Sequence, residues 1–123
     1  MKAAARRIVG SALLLCGAPL GGCSTPPTSE EARRVADKVW EGRCLNCHGR
    51  SGAGDGPQAR LLDTPPRRLN DHAWQSSVTD DHIRTVIVRG GQEVGLSPLM
   101  TANPDLADKP EVVTALVARI RGL

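Results

Sequence analysis

The chain has 123 residues, of which 16 are basic, 13 are acidic and only 2% are aromatic. This length allows one small domain and excludes an enzyme built from two domains around a wide cleft. Lys2, Arg6 and Arg7 account for the whole formal charge of +3, so basic and acidic residues balance from residue 23 onward. Because nucleic-acid binding needs a basic surface, no nucleic acid is expected as a partner.

Large apolar side chains are scarce. The chain has no Phe or Tyr and only two Trp, but nine Pro and 13 Gly. A core of this kind offsets the conformational entropy lost on folding only with difficulty. We therefore expect an additional stabilising element that supplies apolar bulk to the core.

The N-terminus has the layout of a bacterial export signal. Residues 1–7 are short and positive, and residues 8–20 are largely apolar but too few to span a bilayer comfortably. The run Leu20-Gly21-Gly22-Cys23 resembles the lipobox of bacterial lipoproteins, in which cleavage precedes a Cys that is then acylated. We expect residues 1–22 to be removed, Cys23 to carry the lipid, and residues 23–28 to form a tether on the periplasmic side of a membrane. The alternative is an ordinary signal that leaves Cys23 as a free thiol.

Apolar periodicity predicts three helices and no sheet in a single domain over residues 29–123. The first begins at a capping box of Thr28 and Glu31 and continues into the region of Cys44. The second covers residues 80–89, with Thr79 as its cap and Gly90-Gly91 at its end, and the third covers residues 110–121, with Asp108 as its cap. The positions predicted to face the core are Ala32, Val35, Ala36, Val39, Trp40, Ile83, Val86, Ile87, Val112, Val113, Leu116, Val117 and Ile120.

The run Cys44-Leu45-Asn46-Cys47-His48 has the spacing at which c-type haem is attached. Two thiols three residues apart can each bond one vinyl-derived carbon of the porphyrin, and the adjacent His48 can bind the iron. A haem held in this way stays in place in an open secretory compartment and supplies the missing apolar bulk.

Three other interpretations of this motif are open. A thioredoxin-like dithiol is expected in a βαβ setting, of which the sequence has no sign. A structural zinc site needs four ligands, and the motif provides three, with His72 and His82 as spares. A disulfide between Cys44 and Cys47 closes a very small loop and adds little stability.

Met100 is the expected second axial ligand of the iron. It is the only Met after residue 1, and it follows Pro98 in a loop between the second and third helices. A lone Met more often fills a core, but a loop position beside a proline argues against that role. The alternatives are His72, His82 or an open coordination site.

Together these features resemble a class I, mono-haem c-type cytochrome, and the resemblance covers residues 29–123. It implies a small all-α fold in which three main helices wrap around one covalently bound haem. It also implies that the carbonyl of Pro57, at the end of the Gly-rich loop 52–57, accepts a hydrogen bond from Nδ1–H of His48, and that Gly42 is a close-approach point for crossing helices. Family members usually carry an aromatic residue on the last helix at this crossing. Here Arg119 and Ile120 stand in that region, so Trp40 is expected to provide most of the aromatic packing.

The stretch containing Arg67, Arg68 and Trp74 resembles the propionate-side loop of the family. Haem propionates are costly to bury without donors such as guanidinium or indole N–H groups. The alternative is that Arg67 and Arg68 are solvated loop residues and that Trp74 fills the core.

The resemblance implies an electron carrier rather than an enzyme. With His48 and Met100 both bound to iron, no coordination position is free for a small-molecule substrate. We expect redox proteins at the membrane surface as partners, and we expect Leu96, Leu99 and the Gly-rich loop around an exposed haem edge. Two alternatives are a cytochrome subunit of a periplasmic oxidoreductase complex and a haem-based sensor or small peroxidase.

Overall fold

The computed structural model describes residues 29–123, so the expected signal peptide and the whole tether 23–28, including Cys23, lie outside the described residues. All regular structure in residues 29–123 is helical, which confirms the all-α prediction for that part of the chain. Its α-helices are α1 (Glu30–Val39), α2 (Leu45–His48), α3 (His72–Ser77), α4 (Asp80–Arg89) and α5 (Pro110–Arg121). Short 3₁₀ turns cover Ala59–Leu61, Gln92–Val94 and Pro104–Leu106. No helix within residues 29–123 is long and apolar enough to cross a membrane.

The residues that cap the N-termini of the helices agree with the prediction in α4 and differ from it in α1 and α5. In α4 the Thr79 hydroxyl accepts a hydrogen bond from the His82 N–H at 3.1 Å, as expected for its cap. The cap of α1 is Ser29, whose hydroxyl accepts from the Ala32 N–H, whereas the sequence predicted Thr28, which lies outside the described residues. The predicted cap of α5 by Asp108 is wrong. Lys109 precedes the helix without a side-chain cap, because its ammonium group can donate but cannot accept a hydrogen bond, and Pro110 occupies the first turn, where a missing N–H is tolerated.

The core forms where α5 packs against both α1 and α4. Of the positions predicted to face inward, all are buried except Val35 and Val86, which are partly exposed. Leu69 and Leu106, from the connecting segments, complete this core, and Leu106 is 1% exposed. The helix α3, which carries Trp74, was not expected from the sequence, and it packs Trp74 partly buried against the same cluster.

A π-helical turn, Trp40–Cys44, joins α1 to α2. Its widened geometry appears in the hydrogen bond from the Leu45 N–H to the Trp40 carbonyl, five residues earlier. Such turns occur often at functional sites, because the extra residue re-aims the side chains that follow. Gly42 within it is exposed and has nothing within 4 Å of where a Cβ would lie, so its expected role at a helix crossing is wrong. The small buried side chains on α1 are Ala32 and Ala36.

Candidate functional site

The Gly-rich loop closes the end of α2, the short helix that carries the motif. Gly49 ends the helix at φ +77°, a backbone conformation that side chains with a Cβ rarely adopt. The Gly54 N–H then donates to the His48 carbonyl at 2.8 Å, and the Gly56 N–H donates to the Cys47 carbonyl at 3.1 Å. The loop thus satisfies carbonyls that a helix end leaves without partners, and it holds the motif in place.

His48 is buried, and its Nδ1 lies 3.1 Å from the Arg67 carbonyl oxygen. The expected partner, the Pro57 carbonyl, is wrong. The Gly-rich loop folds back onto the end of α2 and leaves Pro57 exposed, and the chain returns to the histidine only at Arg67. A carbonyl oxygen can only accept, so this contact places the ring proton on Nδ1 and leaves the lone pair of Nε2 available to a metal.

Burial lowers the pKa of His48, and the hydrogen bond to the Arg67 carbonyl opposes that effect. The lowered pKa favours the neutral ring, which is the form that binds a metal ion. The orientation and the charge state of His48 therefore both suit an axial ligand.

An apolar pocket lies beside His48. Its walls come from the π-helical turn, α2, α4, α5 and two connecting segments, and its lining atoms are almost entirely apolar. The lining residues are Trp40, Cys44, His48, Leu69, Ile87, Met100, Leu116 and Ile120. Its cavity volume is about 30 Å³, far below the roughly 300–1,000 Å³ typical of ligand sites. A tetrapyrrole is larger than this, so seating one requires the walls to separate.

The two thiols of the motif lie in different surroundings. Cys44 lines the pocket, with its Sγ 3.9 Å from the Val39 carbonyl oxygen, and burial raises the pKa of its thiol to about 11. Cys47 is half-buried, with its Sγ 3.8 Å from Oε1 of Gln58. Both are free thiols, one helical turn apart.

Met100 lines the same pocket as His48 and Cys44. Its segment is held against the end of α4, where the Gly91 N–H donates to the Met100 carbonyl at 2.9 Å. The two other candidate ligands do not line this pocket: His72 is exposed at the start of α3, and His82 lies in the first turn of α4. Within residues 29–123, no three His, Cys, Asp or Glu side chains are grouped so that they could hold a metal ion.

The three residues expected to contact propionates are not brought into the pocket. Arg67 and Arg68 have exposed side chains, and Trp74 is partly buried against the core on α3. Their contact with propionates stays a prediction. The part of Arg67 that reaches the site is its backbone carbonyl.

Trp40 forms one wall of the pocket and is 1% exposed. Within residues 29–123 its indole Nε1 is buried without a hydrogen-bond partner. Its ring lies beneath the guanidinium of Arg119 on α5, with the guanidinium carbon 5.1 Å from the ring centre. An arginine thus covers the tryptophan at this helix crossing.

The lining and the donor groups of this pocket fit a covalently attached haem. Cys44 supplies a thiol at the wall, His48 an oriented imidazole and Met100 a thioether, and the remaining lining is apolar. These groups suit a large apolar macrocycle with a metal at its centre. The volume fits only after the walls have moved apart.

Sequence reasoning missed several residues that position this site. Arg43, directly before the motif, pairs with Asp105 at 2.8 Å and also donates to the side chain of Asn103. This pairing raises the pKa of Arg43 and lowers the pKa of Asp105. No signal in the sequence pointed to these pairs. Gly91, by contrast, stands in the Gly90-Gly91 pair that was expected to end α4.

Comparisons of this chain with protein-family models, with curated proteins and with solved structures gave no match.

Proposed function

We propose that this chain is a mono-haem c-type cytochrome that transfers electrons without itself catalysing a reaction on a small molecule. The observation that carries the proposal is the apolar pocket in which Cys44 and His48 of the Cys-x-x-Cys-His run face the same space as Met100. His48 and Met100 are 52 positions apart in the sequence, so it is the fold that brings them to the same pocket. One covalently attached haem, held through Cys44 and Cys47, would use this donor set.

A bound haem would supply an iron that cycles between the ferrous and ferric states. The work of the protein is to keep the surroundings of that iron nearly constant. The Arg67 carbonyl orients His48, the Gly91 N–H holds the Met100 segment, and the apolar walls exclude water. A thioether ligand favours the ferrous state and raises the reduction potential relative to two histidines.

The surface near Met100 suits transient contact with a protein partner. Leu96 and Leu99 in the same segment are 52% and 54% exposed, and Leu96 approaches Gly91 from the same side as Met100. Exposed apolar side chains of this kind are common at sites of protein association. This supports a redox protein as partner and suits equally a cytochrome subunit within a periplasmic oxidoreductase complex.

The anchor forms part of the same proposal. Lipid on Cys23 would hold the domain at the periplasmic side of a bacterial membrane through the tether 23–28. Five residues separate Cys23 from Ser29, which spans at most about 18 Å when extended. Encounters with partners would then take place close to the membrane surface.

The test is the visible spectrum of the chain after export in a bacterium that attaches haem. We expect a haemochrome that stays with the denatured polypeptide, a visible band from the thioether-to-iron bond in the ferric form, and a ferrous form that does not bind CO. The control variant Cys44→Ala with Cys47→Ala should carry no covalent haem. Export without covalent haem in the unaltered chain would refute the proposal. Ready CO binding would favour the sensor or peroxidase interpretation.

A further inference from the structure

Arg43 makes a forked contact that joins the turn before the motif to the segment that follows Met100. It is the residue directly before Cys44, in the π-helical turn. Its Nη1 donates to Oδ1 of Asp105 at 2.8 Å, and its Nη2 donates to Oδ2 of the same carboxylate at 3.0 Å. Nη1 also donates to Oδ1 of Asn103 at 3.0 Å. A planar guanidinium matches a carboxylate in this geometry, which a lysine cannot reproduce.

Asn103 connects this contact to the end of α4. Its backbone N–H donates to the Val88 carbonyl at 3.0 Å, and its side-chain Nδ2 donates to the Ile87 carbonyl at 2.8 Å. Ile87 is itself a lining residue of the pocket. Asn103 therefore satisfies two carbonyls of the last turn of α4 while its remaining side-chain oxygen accepts from Arg43.

The segment that carries Met100 is consequently held from two sides. On one side, Gly91 and the last turn of α4 hold Met100 and Asn103. On the other side, Arg43 holds Asn103 and Asp105 against the turn that continues into Cys44 and His48. We name Arg43, Asn103 and Asp105 the Arg43 clamp. Among the hydrogen bonds of residues 29–123, the Arg43 contacts tie the start of the motif directly to the segment that follows Met100.

We propose that the Arg43 clamp is a positioning device that keeps Met100 opposite His48 and so limits the access of other ligands to the iron. This inference rests on the proposed function, because it concerns the hold of Met100 on a haem iron. Without the clamp, the segment would keep its hydrogen bonds to α4 and the burial of Leu106 in the core, but it would lose its hydrogen bonds to the turn that precedes the motif. The Met100 segment could then move away from the wall of the pocket that contains Cys44 and His48.

The clamp acts on local opening more than on overall stability. The side chains of Arg43 and Asp105 are 46% and 47% exposed, and pairs this accessible to water contribute little to the free energy of unfolding. Opening of one segment, however, breaks only the few contacts that hold that segment. Removing the three hydrogen bonds of Arg43 therefore strongly increases the fraction of molecules in which the Met100 segment is open.

The experiment uses the full haem-loaded chain in its ferric form and adds imidazole, which competes with Met100 for the iron. For Arg43→Ala we expect the binding constant of imidazole to rise about tenfold, equivalent to roughly 1.4 kcal/mol. Asp105→Asn leaves the hydrogen bond from Arg43 to Asn103 in place, so it should give a smaller rise in the same direction. Arg43→Lys should lie close to Arg43→Ala, because an ammonium cannot make the forked contact. The matched control is Arg34→Ala, which removes another exposed Arg–carboxylate pair with Glu30 on α1 and should bind imidazole as the unaltered chain does.

A double-mutant cycle separates the clamp from unrelated effects of either substitution. If Arg43 and Asp105 act together, Arg43→Ala combined with Asp105→Ala should weaken the hold of Met100 no more than Arg43→Ala alone. Equal imidazole binding in Arg43→Ala, Asp105→Asn and the unaltered chain would overturn the clamp while leaving the cytochrome proposal intact. An unaltered chain without covalent haem would overturn both. If Arg43→Ala fails to load haem, Asp105→Asn decides the matter, since it changes one atom on the surface.

Discussion

The guanidinium carbon of Arg119 lies 5.1 Å from the centre of the Trp40 ring, where α5 crosses the end of α1. The same guanidinium pairs with Asp37 through Nη1 at 2.6 Å. The resemblance to c-type cytochromes implied an aromatic residue on the last helix here and left Trp40 as the main aromatic. The observed arrangement places a cation above the ring, so that Trp40 is covered although the crossing has only one aromatic residue among residues 29–123.

Replacing Arg119 should destabilise the helix crossing. Arg119→Ala removes both the cation–π contact and the cover over Trp40, and we expect a loss of about 1–2 kcal/mol in the free energy of unfolding. Asp37→Asn removes the ion pair but keeps the stacked guanidinium, so its effect should be clearly smaller. Thermal or denaturant unfolding of the two variants measures the difference. Equal losses in both would assign the stabilisation to the ion pair.

Gly91 should be required for the position of Met100. A Cβ at residue 91 would clash with the Ser97 carbonyl oxygen and lie 3.2 Å from the Met100 Cβ, although the backbone of Gly91 is helical and unstrained. We expect Gly91→Ala to lower stability by about 1–3 kcal/mol and to weaken the thioether-to-iron band. Gly42→Ala is the control, because nothing lies within 4 Å of its Cβ position. A Gly91→Ala protein with a normal band and normal unfolding would contradict the close approach.

Met100→Ala should leave the haem attached but remove the sixth ligand. The thioether-to-iron band should vanish and the reduction potential should fall, because the sulfur that favours ferrous iron is lost. The ferric spectrum and a redox titration measure both effects. The comparison variants are His72→Ala and His82→Ala, which we expect to keep the band, since neither side chain lines the pocket. Loss of the band in one of these two variants would transfer the ligand role to that histidine.

The contribution of Asp105 to stability should depend on pH. Arg43 holds the pKa of this carboxyl below its ordinary value, chiefly through their hydrogen bonds, and Lys109 acts in the same direction. The contribution is therefore present above the pKa of the unfolded chain, about 3.9, and is lost as pH falls through the lower folded pKa. Melting temperatures of Asp105→Asn and the unaltered chain should differ near neutral pH and converge in acid. Exposed Asp108→Asn serves as the control, and a constant difference across the pH range would refute the prediction.

Cys23→Ser should release the domain from the membrane. Lipid on Cys23 is the expected anchor once residues 1–22 are removed, so the variant should appear in the soluble periplasmic fraction. Cys16→Ser is the matched control, because Cys16 lies within the segment expected to be discarded and its loss should leave the protein with membranes. Fractionation and immunoblotting measure both. A Cys23→Ser protein that still sediments with membranes would show that the lipobox interpretation is wrong or that a partner retains the domain.

Local signals in the sequence were sufficient for much of the fold. The bounds of α4 and α5 agree with the prediction to the residue, and the inward positions of α5 are all buried. This is so because apolar spacing, a cap such as Thr79 and a stop such as Gly90 act within one or two helical turns. The Cys-x-x-Cys-His run is local in the same sense, since the haem attachment proposed for it depends on a spacing of a few residues.

Contacts between distant segments were decided only by the tertiary structure. The acceptor for His48 is 19 residues away at Arg67 rather than at Pro57, and Arg43 meets Asp105 across 62 residues. Arg119 covers Trp40 although no periodicity marks it for that role. Each of these contacts depends on how loops return to the helices, and that path is set by the packing of the whole core. The sequence by itself therefore determined which groups are available for chemistry, and the tertiary structure decided which of them meet.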